Sequence, residues 1–257
     1  MTESSPAPTA AQLAGDLRVR GVRALRGRNL WSPEPVVACE VLMGGLATFS
    51  SAEVAGFGDR LREALPESAP LAEGASWPEA VRHAAMELQR LAGGAASFSR
   101  IVEQGVDEAP VLVAGYAEAE LGVEAVYEAA AMVRACLRGD DPGTARVVGA
   151  LHAVYLKAHP GPTTTVLIEA ARRRGIPVRR APGEHVVQLG LGRNLRRIDA
   201  TMTDGTSVIA TDLTSDKDRT KRLLDGYLLP VPRGGVAHTV DEALEIAADL
   251  RFPVLLK

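Results

Sequence analysis

Apolar residues recur along this chain in two periods, and the change between them predicts a mixture of strands and helices. The run Val36–Leu42 is short and nearly continuous, which is typical of a buried strand, and apolar residues among the arginines at 17–22 indicate another. Val111–Val113 is a third strand candidate. Helical spacing is found in three segments, at 52–65, 78–92 and 118–138. The pattern predicts an α/β (α+β) fold that begins with a mixed N-terminal domain.

A second series of elements follows a stretch rich in Gly, Asp and Pro at 139–162, which holds one short predicted helix. Start signals predict three more helices: Pro162 precedes one at 163–174, and capping boxes open those at 215–224 and 239–250.

Three strand predictions complete the pattern of this later part. Val186–Leu189 is predicted to be a strand, and 195–213 is predicted to be a hairpin because alternating residues flank a turn at Asp204-Gly205. The run at 252–257 predicts a buried strand that ends in a charge.

Composition divides the chain into three parts. Residues 1–14 are rich in Ser, Pro, Thr and Ala, which predicts a disordered tail, and domains are expected at 15–158 and 160–257. Residues 1–155 hold 13 basic and 20 acidic side chains, net −7, whereas residues 156–257 hold 16 and 12, net +4. Such asymmetry suggests two domains with different electrostatic roles, with chance as the alternative.

Cysteine usage and the N-terminus indicate a cytoplasmic protein. Cys39 and Cys136 show neither a CxxC nor a metal-binding spacing, which is typical of a reducing compartment. The N-terminus lacks the charged and apolar regions of a signal peptide, and no apolar run approaches the roughly 18 residues of a membrane span. His83 lies between apolar helix positions and is interpreted as a packing residue rather than a catalytic one.

Several motifs of the later part follow one another in an order and spacing that resemble cyanophycin synthetases. The segments are GPTT at 161–164, QLGLGRNLRRIDAT at 188–201, SDKDRTKRLL at 215–224, VPRG at 231–234 and FPVLLK at 252–257. The segments at 23–32 and 81–93 resemble the N-terminal domain of that family more loosely. Arg82, Ser97 and Ser99 stand where the family has Glu, Gly and Gly. The chain is thus similar to that N-terminal domain followed by the first part of an ATP-grasp module.

The resemblance implies an ATP-dependent, amide-forming ligase that extends an Asp/Arg polymer. An ATP-grasp module would phosphorylate a carboxylate, an amine would displace the phosphate, and a Mur-ligase-like module would add arginine. ATP and Mg²⁺ are the implied cofactors of the complete family enzyme. In the family, the phosphate loop, the Mg²⁺ ligands and the Mur-like module follow the position of Lys257. We therefore expect this chain alone to bind neither cofactor tightly and to be inactive.

The resemblance also assigns candidate site residues, none of them catalytic or metal-binding. Lys257 matches a lysine that contacts nucleotide phosphates, with a solvated charge as the alternative. Thr163 stands where the family has a serine expected to hold the polymer's terminal carboxylate, and a helix N-terminus suits that role. Asp212 replaces a glutamate that faces the substrate. An ordinary N-cap and a turn residue are the respective alternatives.

Arginine is concentrated in one region, where an acidic peptide or the cyanophycin polymer is the expected partner. Arg196 and Arg197 are the substrate-binding candidates there, within the set Arg172, Arg173, Arg174, Arg179, Arg180, Arg193, Arg196 and Arg197. A solvated surface is the alternative. Nucleic acid is not favoured, because no aromatic residues are interleaved with the arginines.

Two other functions and the oligomeric state stay open. The chain can be a non-catalytic module that binds an acidic peptide, or part of another ATP-grasp amino-acid ligase. A homo-oligomer is compatible with the sequence.

Overall fold

The computed structural model divides the chain into two compact units, Met1–His159 and Pro160–Lys257. It describes residues 9–94, 96, 98–105, 108–180 and 185–256. Both units combine helices with an antiparallel sheet, so the predicted mixed α/β class is confirmed.

The first unit contains a four-stranded antiparallel sheet with two helices against one face. Its strands are β1 (Arg18–Leu25), β2 (Val36–Leu42), β3 (Ser99–Val102) and β4 (Val111–Gly115), in the order β1-β2-β4-β3. Its helices are α1 (Phe57–Ala64), α2 (Trp77–Leu91), α3 (Ala119–Arg138) and α4 (Thr144–Ala158). Helices α2 and α3 contact each other and the strands, and their apolar stripes fill the main core.

Trp77 anchors the start of α2 in this core. Its side chain is 1% exposed, and its Nε1 donates to the carbonyl oxygens of Leu46 at 3.0 Å and Phe49 at 2.8 Å. Phe57 packs edge-on against the indole, with ring centroids 5.2 Å apart. A buried indole N–H needs an acceptor, and here one donor ties α2 to the loop before α1.

Several sequence predictions needed correction in this unit. The helix predicted at 52–65 is shorter, Phe57–Ala64, because Ser51–Glu53 forms a 3₁₀ turn closed by a Ser50/Glu53 capping box. The short helix predicted within 139–162 extends over fifteen residues as α4. Strand β3 was not predicted.

The tail prediction was wrong for part of residues 1–14. Gln12–Asp16 forms a 3₁₀ helix, and Ala10 and Ala14 are buried in the core. Asp16 fixes this segment by accepting a hydrogen bond from the backbone N–H of Gly45 at 2.9 Å. Ala10 and Ala14 are small enough to pack against the core, although the composition of this segment predicted a disordered tail. Residues 1–8 lie outside the described residues.

The second unit has a smaller sheet and a smaller core. Strands β5 (Val178–Arg180), β6 (Val187–Leu189), β7 (Arg196–Asp199) and β8 (Met202–Thr203) pair in chain order, all antiparallel. The helices are α5 (Pro162–Arg173), α6 (Val208–Ser215), α7 (Lys217–Gly226) and α8 (Val240–Leu250). Ile168 of α5 packs on Val187 and Ile198, with Val178 and Leu189 at the margin.

Two strand predictions were wrong here. The return strand expected within 195–213 is helix α6, because the chain turns away after the two-residue strand β8. Two hydrogen bonds close this turn: the N–H of Thr206 donates to the carbonyl of Thr203, and the N–H of Thr203 donates to the hydroxyl of Thr206. The hydroxyls of Thr211 and Thr214 then bond to backbone carbonyls one helical turn earlier, which satisfies them within a helix. Residues 252–256 form no strand and are largely exposed, Phe252 by 80%.

We expect Trp77→Phe to lower the free energy of unfolding by about 2–4 kcal/mol. The substitution removes the indole N–H that donates to the carbonyls of Leu46 and Phe49 and leaves a small void, and each effect is destabilising. Urea unfolding followed by circular dichroism measures it. Tyr127→Phe is the control, because Tyr127 is 47% exposed, and it should change stability by less than about 0.5 kcal/mol. Equal midpoints for the two variants would contradict the assignment.

Candidate functional site

Thr163 lies in the first turn of α5 and faces solvent. The helix begins at Pro162, and the neighbouring Thr164 is buried, at 6% exposed. Thr165 bonds back through its hydroxyl to the carbonyls of Pro160 and Gly161, both at 3.1 Å. Among the described residues the Thr163 hydroxyl has no hydrogen-bond partner, so it remains available at a helix N-terminus. Its contact with a carboxylate stays a prediction.

Asp212 lies on α6 and not at the end of a strand. Its Oδ2 accepts a hydrogen bond from Nη1 of Arg219 on α7 at 2.8 Å, and both side chains are more than half exposed. The ion pair therefore joins two consecutive helices. A substrate would have to compete with Arg219 for this carboxylate, and the predicted substrate role remains a prediction.

Arg196 and Arg197 point to opposite faces of β7, because consecutive residues of a strand alternate. The guanidinium of Arg196 donates to the carbonyl of Leu195 at 2.7 Å. The backbone N–H of Arg197 donates to Asp204 at 2.8 Å, and its side chain is exposed. The two predicted substrate residues are therefore not one binding pair.

The wider arginine region is distributed over several elements. Arg172 and Arg173 lie in the last turn of α5, where the helix dipole favours positively charged side chains. Arg173 also forms an ion pair with Glu169 at 3.8 Å. Arg179 lies on β5, opposite Gln188 of β6, which in turn lies opposite Arg197. The strand register therefore places Arg179 and Arg197, which are 18 positions apart in sequence, in one row across the sheet. Lys257, the predicted phosphate contact, lies outside the described residues.

His83 has the environment of a packing residue, as predicted. Its Nε2 lies 3.3 Å from the Ser68 hydroxyl, and burial lowers the pKa of the imidazole, opposed by Glu87 and assisted by Arg82. This shift favours the neutral form of the ring. Arg82 donates to the Ser99 hydroxyl at 2.9 Å, so two of the residues that differ from the family pattern contact each other.

A groove of about 670 Å³ lies between α7, α8 and the loop that joins them. At this groove, Nζ of Lys221 donates a hydrogen bond to the carbonyl of Gly234 at 2.5 Å. Arg233 forms an ion pair with Asp249 at 3.4 Å. Its lining combines apolar and charged side chains: Asp218, Lys221, Arg222, Asp225, Val231, Pro232, Arg233, Gly234, Gly235, Glu245, Ile246, Asp249 and Leu250. The sequence reasoning did not identify this groove, although two of the motifs quoted above line it.

Among the described residues, no group of three or more His, Cys, Asp or Glu side chains is placed to hold a metal ion. Within the same residues, no helix is long and apolar enough to cross a membrane.

Comparison with known proteins identifies the relatives of this chain. It is 32% identical to cyanophycin synthetase of Trichormus variabilis over 94% of its length, and 28% identical to that of Crocosphaera subtropica over the same share. This chain is a relative of the cyanophycin synthetases. It spans 29% and 30%, respectively, of the length of these synthetases, and the resemblance predicted from its motifs is confirmed.

A second class of relative matches a shorter segment. The large chain of carbamoyl phosphate synthase from Archaeoglobus fulgidus is 39% identical over 69 residues, which are 27% of this chain and 6% of that protein. This match is consistent with an ATP-grasp-related fold. No family model matches the chain.

Neither cysteine is expected to react while the protein is folded. Burial, assisted by Glu40, raises the pKa of the Cys39 thiol to about 12, and burial raises that of Cys136 to about 11. At pH 8 both groups are protonated, and the thiolate is the reactive form. Labelling with a thiol reagent should be slow in buffer and should reach two equivalents in guanidinium. Rapid labelling of the folded chain would contradict the placement of these residues.

Proposed function

We propose that this chain is part of a cyanophycin synthetase, an ATP-dependent ligase that extends an Asp/Arg polymer through an acyl phosphate. The observation that carries the proposal is the 32% identity to such a synthetase over 94% of the chain. The match to carbamoyl phosphate synthases supports it, because carbamoyl phosphate is itself a carboxyl-derived phosphate anhydride.

The contribution proposed for these residues is to bind the polymer. The exposed Thr163 lies at a helix N-terminus, where backbone N–H groups attract a carboxylate. The net charge of +4 for residues 156–257 favours an acidic ligand over a basic one. Thr163 and Arg197 would bind carboxylates of the polymer. ATP and Mg²⁺ would act in the complete enzyme, together with further ATP-grasp and Mur-ligase-like modules.

Two alternatives have specific support. The excess of positive charge in the second unit is also what a non-catalytic module for acidic peptides requires. The match to carbamoyl phosphate synthase favours a part of another ATP-grasp ligase. Binding of an Asp/Arg peptide in preference to glutamate-containing peptides separates the main proposal from both.

Calorimetric titration of the purified chain tests the proposal with two ligands. We expect a short peptide of alternating aspartate and arginine-substituted aspartate to bind, and Mg-ATP to give no heat of binding. ATP hydrolysis by the isolated chain should stay at the buffer rate. Tight ATP binding would contradict the predicted inactivity, and a folded chain that fails to bind the peptide would contradict polymer recognition.

Thr163→Val should weaken binding of a peptide with a free C-terminal carboxylate about fivefold. The substitution preserves shape and removes one hydroxyl, and the loss of one exposed hydrogen bond corresponds to about 1 kcal/mol. Thr144→Val is the matched control, because Thr144 begins α4, another helix of similar length. If the two variants bind equally well, Thr163 does not contact the carboxylate.

A further inference from the structure

One face of the second sheet presents a row of polar side chains. Arg179 on β5 lies opposite Gln188 on β6, and Gln188 lies opposite Arg197 on β7. Directly opposed residues of antiparallel strands project to the same face. The neighbouring residues Val187 and Ile198 project to the other face, where α5 covers them. The three polar side chains therefore share the face that α5 does not cover.

The two arginines of this row have no acidic partner among the described residues. The side chains of Arg179 and Arg197 are exposed and form neither an ion pair nor a hydrogen bond in that part of the chain. Other arginines of the unit are engaged: Arg173, Arg219, Arg222 and Arg233 each pair with a carboxylate. Arg179 and Arg197 thus keep their full donor sets, each a planar fork that matches a carboxylate.

Gln188 occupies the central position between them. Its Nε2 donates to the carbonyl of Gly190 at 3.2 Å, which orients the amide. Its Oε1 has no protein donor among the residues described and can accept a hydrogen bond from a ligand. Neighbouring strands are about 4.8 Å apart, so the Cα atoms of the two arginines are about 10 Å apart.

We propose that Arg179, Gln188 and Arg197 form a two-point subsite for an extended acidic peptide. Each arginine binds one side-chain carboxylate, and Gln188 accepts an N–H of the peptide between them. Carboxylates two residues apart on an extended chain project to the same side and are about 7 Å apart, which two long arginine side chains on Cα atoms about 10 Å apart can reach. The inference rests on the proposed function in taking an acidic peptide as the ligand.

Asp199 limits the kind of anion that this face accepts. It is two residues beyond Arg197 on β7 and therefore on the same face, and it is half-buried. Its negative charge repels a densely charged polyanion such as polyphosphate more than a peptide, whose charges are farther apart. The spacing and this repulsion favour a peptide over a phosphate chain.

Fluorescence anisotropy with a labelled octa-aspartate peptide at low salt tests the subsite in the full chain. We expect Arg179→Gln and Arg197→Gln each to weaken binding about tenfold, in line with the loss of a charged hydrogen bond, and Gln188→Leu to weaken it about threefold. Arg196→Gln and Arg172→Gln are the matched controls. They remove the same charge from the opposite face of β7 and from α5, and should change affinity less than twofold.

The outcomes separate the subsite from the proposed function. If Arg196→Gln weakens binding as much as Arg197→Gln, the charge acts diffusely, and the subsite is overturned while acidic-peptide binding stands. If the unmodified chain does not bind octa-aspartate, the subsite is overturned, whereas the calorimetric titration with the Asp/Arg peptide still decides the proposed function. If tripolyphosphate displaces the peptide at lower charge concentration than free octa-aspartate does, the site is a phosphate site. Circular dichroism of each variant shows that the fold is retained.

Discussion

The alternation of side chains along an antiparallel strand is the constraint on which both sheets depend. Every second residue must face the helices, so the residues between them are assigned to the other face. In the first sheet both faces of β2 are buried: Val37 and Cys39 face the main core, whereas Val36 and Ala38 lie under Trp31. In the second sheet the covered face is apolar and the other face holds Arg197. At β2 both faces of the first sheet are therefore apolar and covered, whereas the second sheet has one apolar, covered face and one polar, exposed face.

The two units also differ in how much apolar surface they bury. The first unit contains nearly all of the large buried side chains, including Trp77 and Phe57, and the second has a core of three buried residues with two at its margin. The second unit also exposes large apolar residues, among them Val208, Leu228 and Phe252. The second unit is therefore held together by much less buried apolar surface than the first.

Local chemistry predicted the positions of most helices, whereas the wrong strand prediction at 208–213 depended on non-local pairing. The N-cap at Thr239 forms as expected, with the Thr239 hydroxyl accepting from the backbone N–H of Glu242, because these atoms lie within one turn. The predicted capping box is only half formed, since the Glu242 carboxylate accepts from the N–H of His238 and not from that of Thr239. The segment at 208–213 looked like a strand because Val, Ile and Thr favour strands. The segment could form a strand only by pairing with a neighbouring strand such as β8, and β8 ends after two residues. A local pattern contains no information about such a partner.

The candidate site shows the same division between local and non-local information. Arg196 and Arg197 are adjacent in sequence, and a sequence reading groups them, yet strand geometry separates them and joins Arg197 to Arg179 instead. By contrast, the motifs at 215–224 and 231–234 were recognised separately, and the structure brings them together in one groove, where Lys221 bonds to Gly234. Motif resemblance therefore identified segments that meet in space, whereas clustering of charge along the chain did not identify which arginines act together. Register is the physical quantity that decides the second question, and it is a property of the folded sheet.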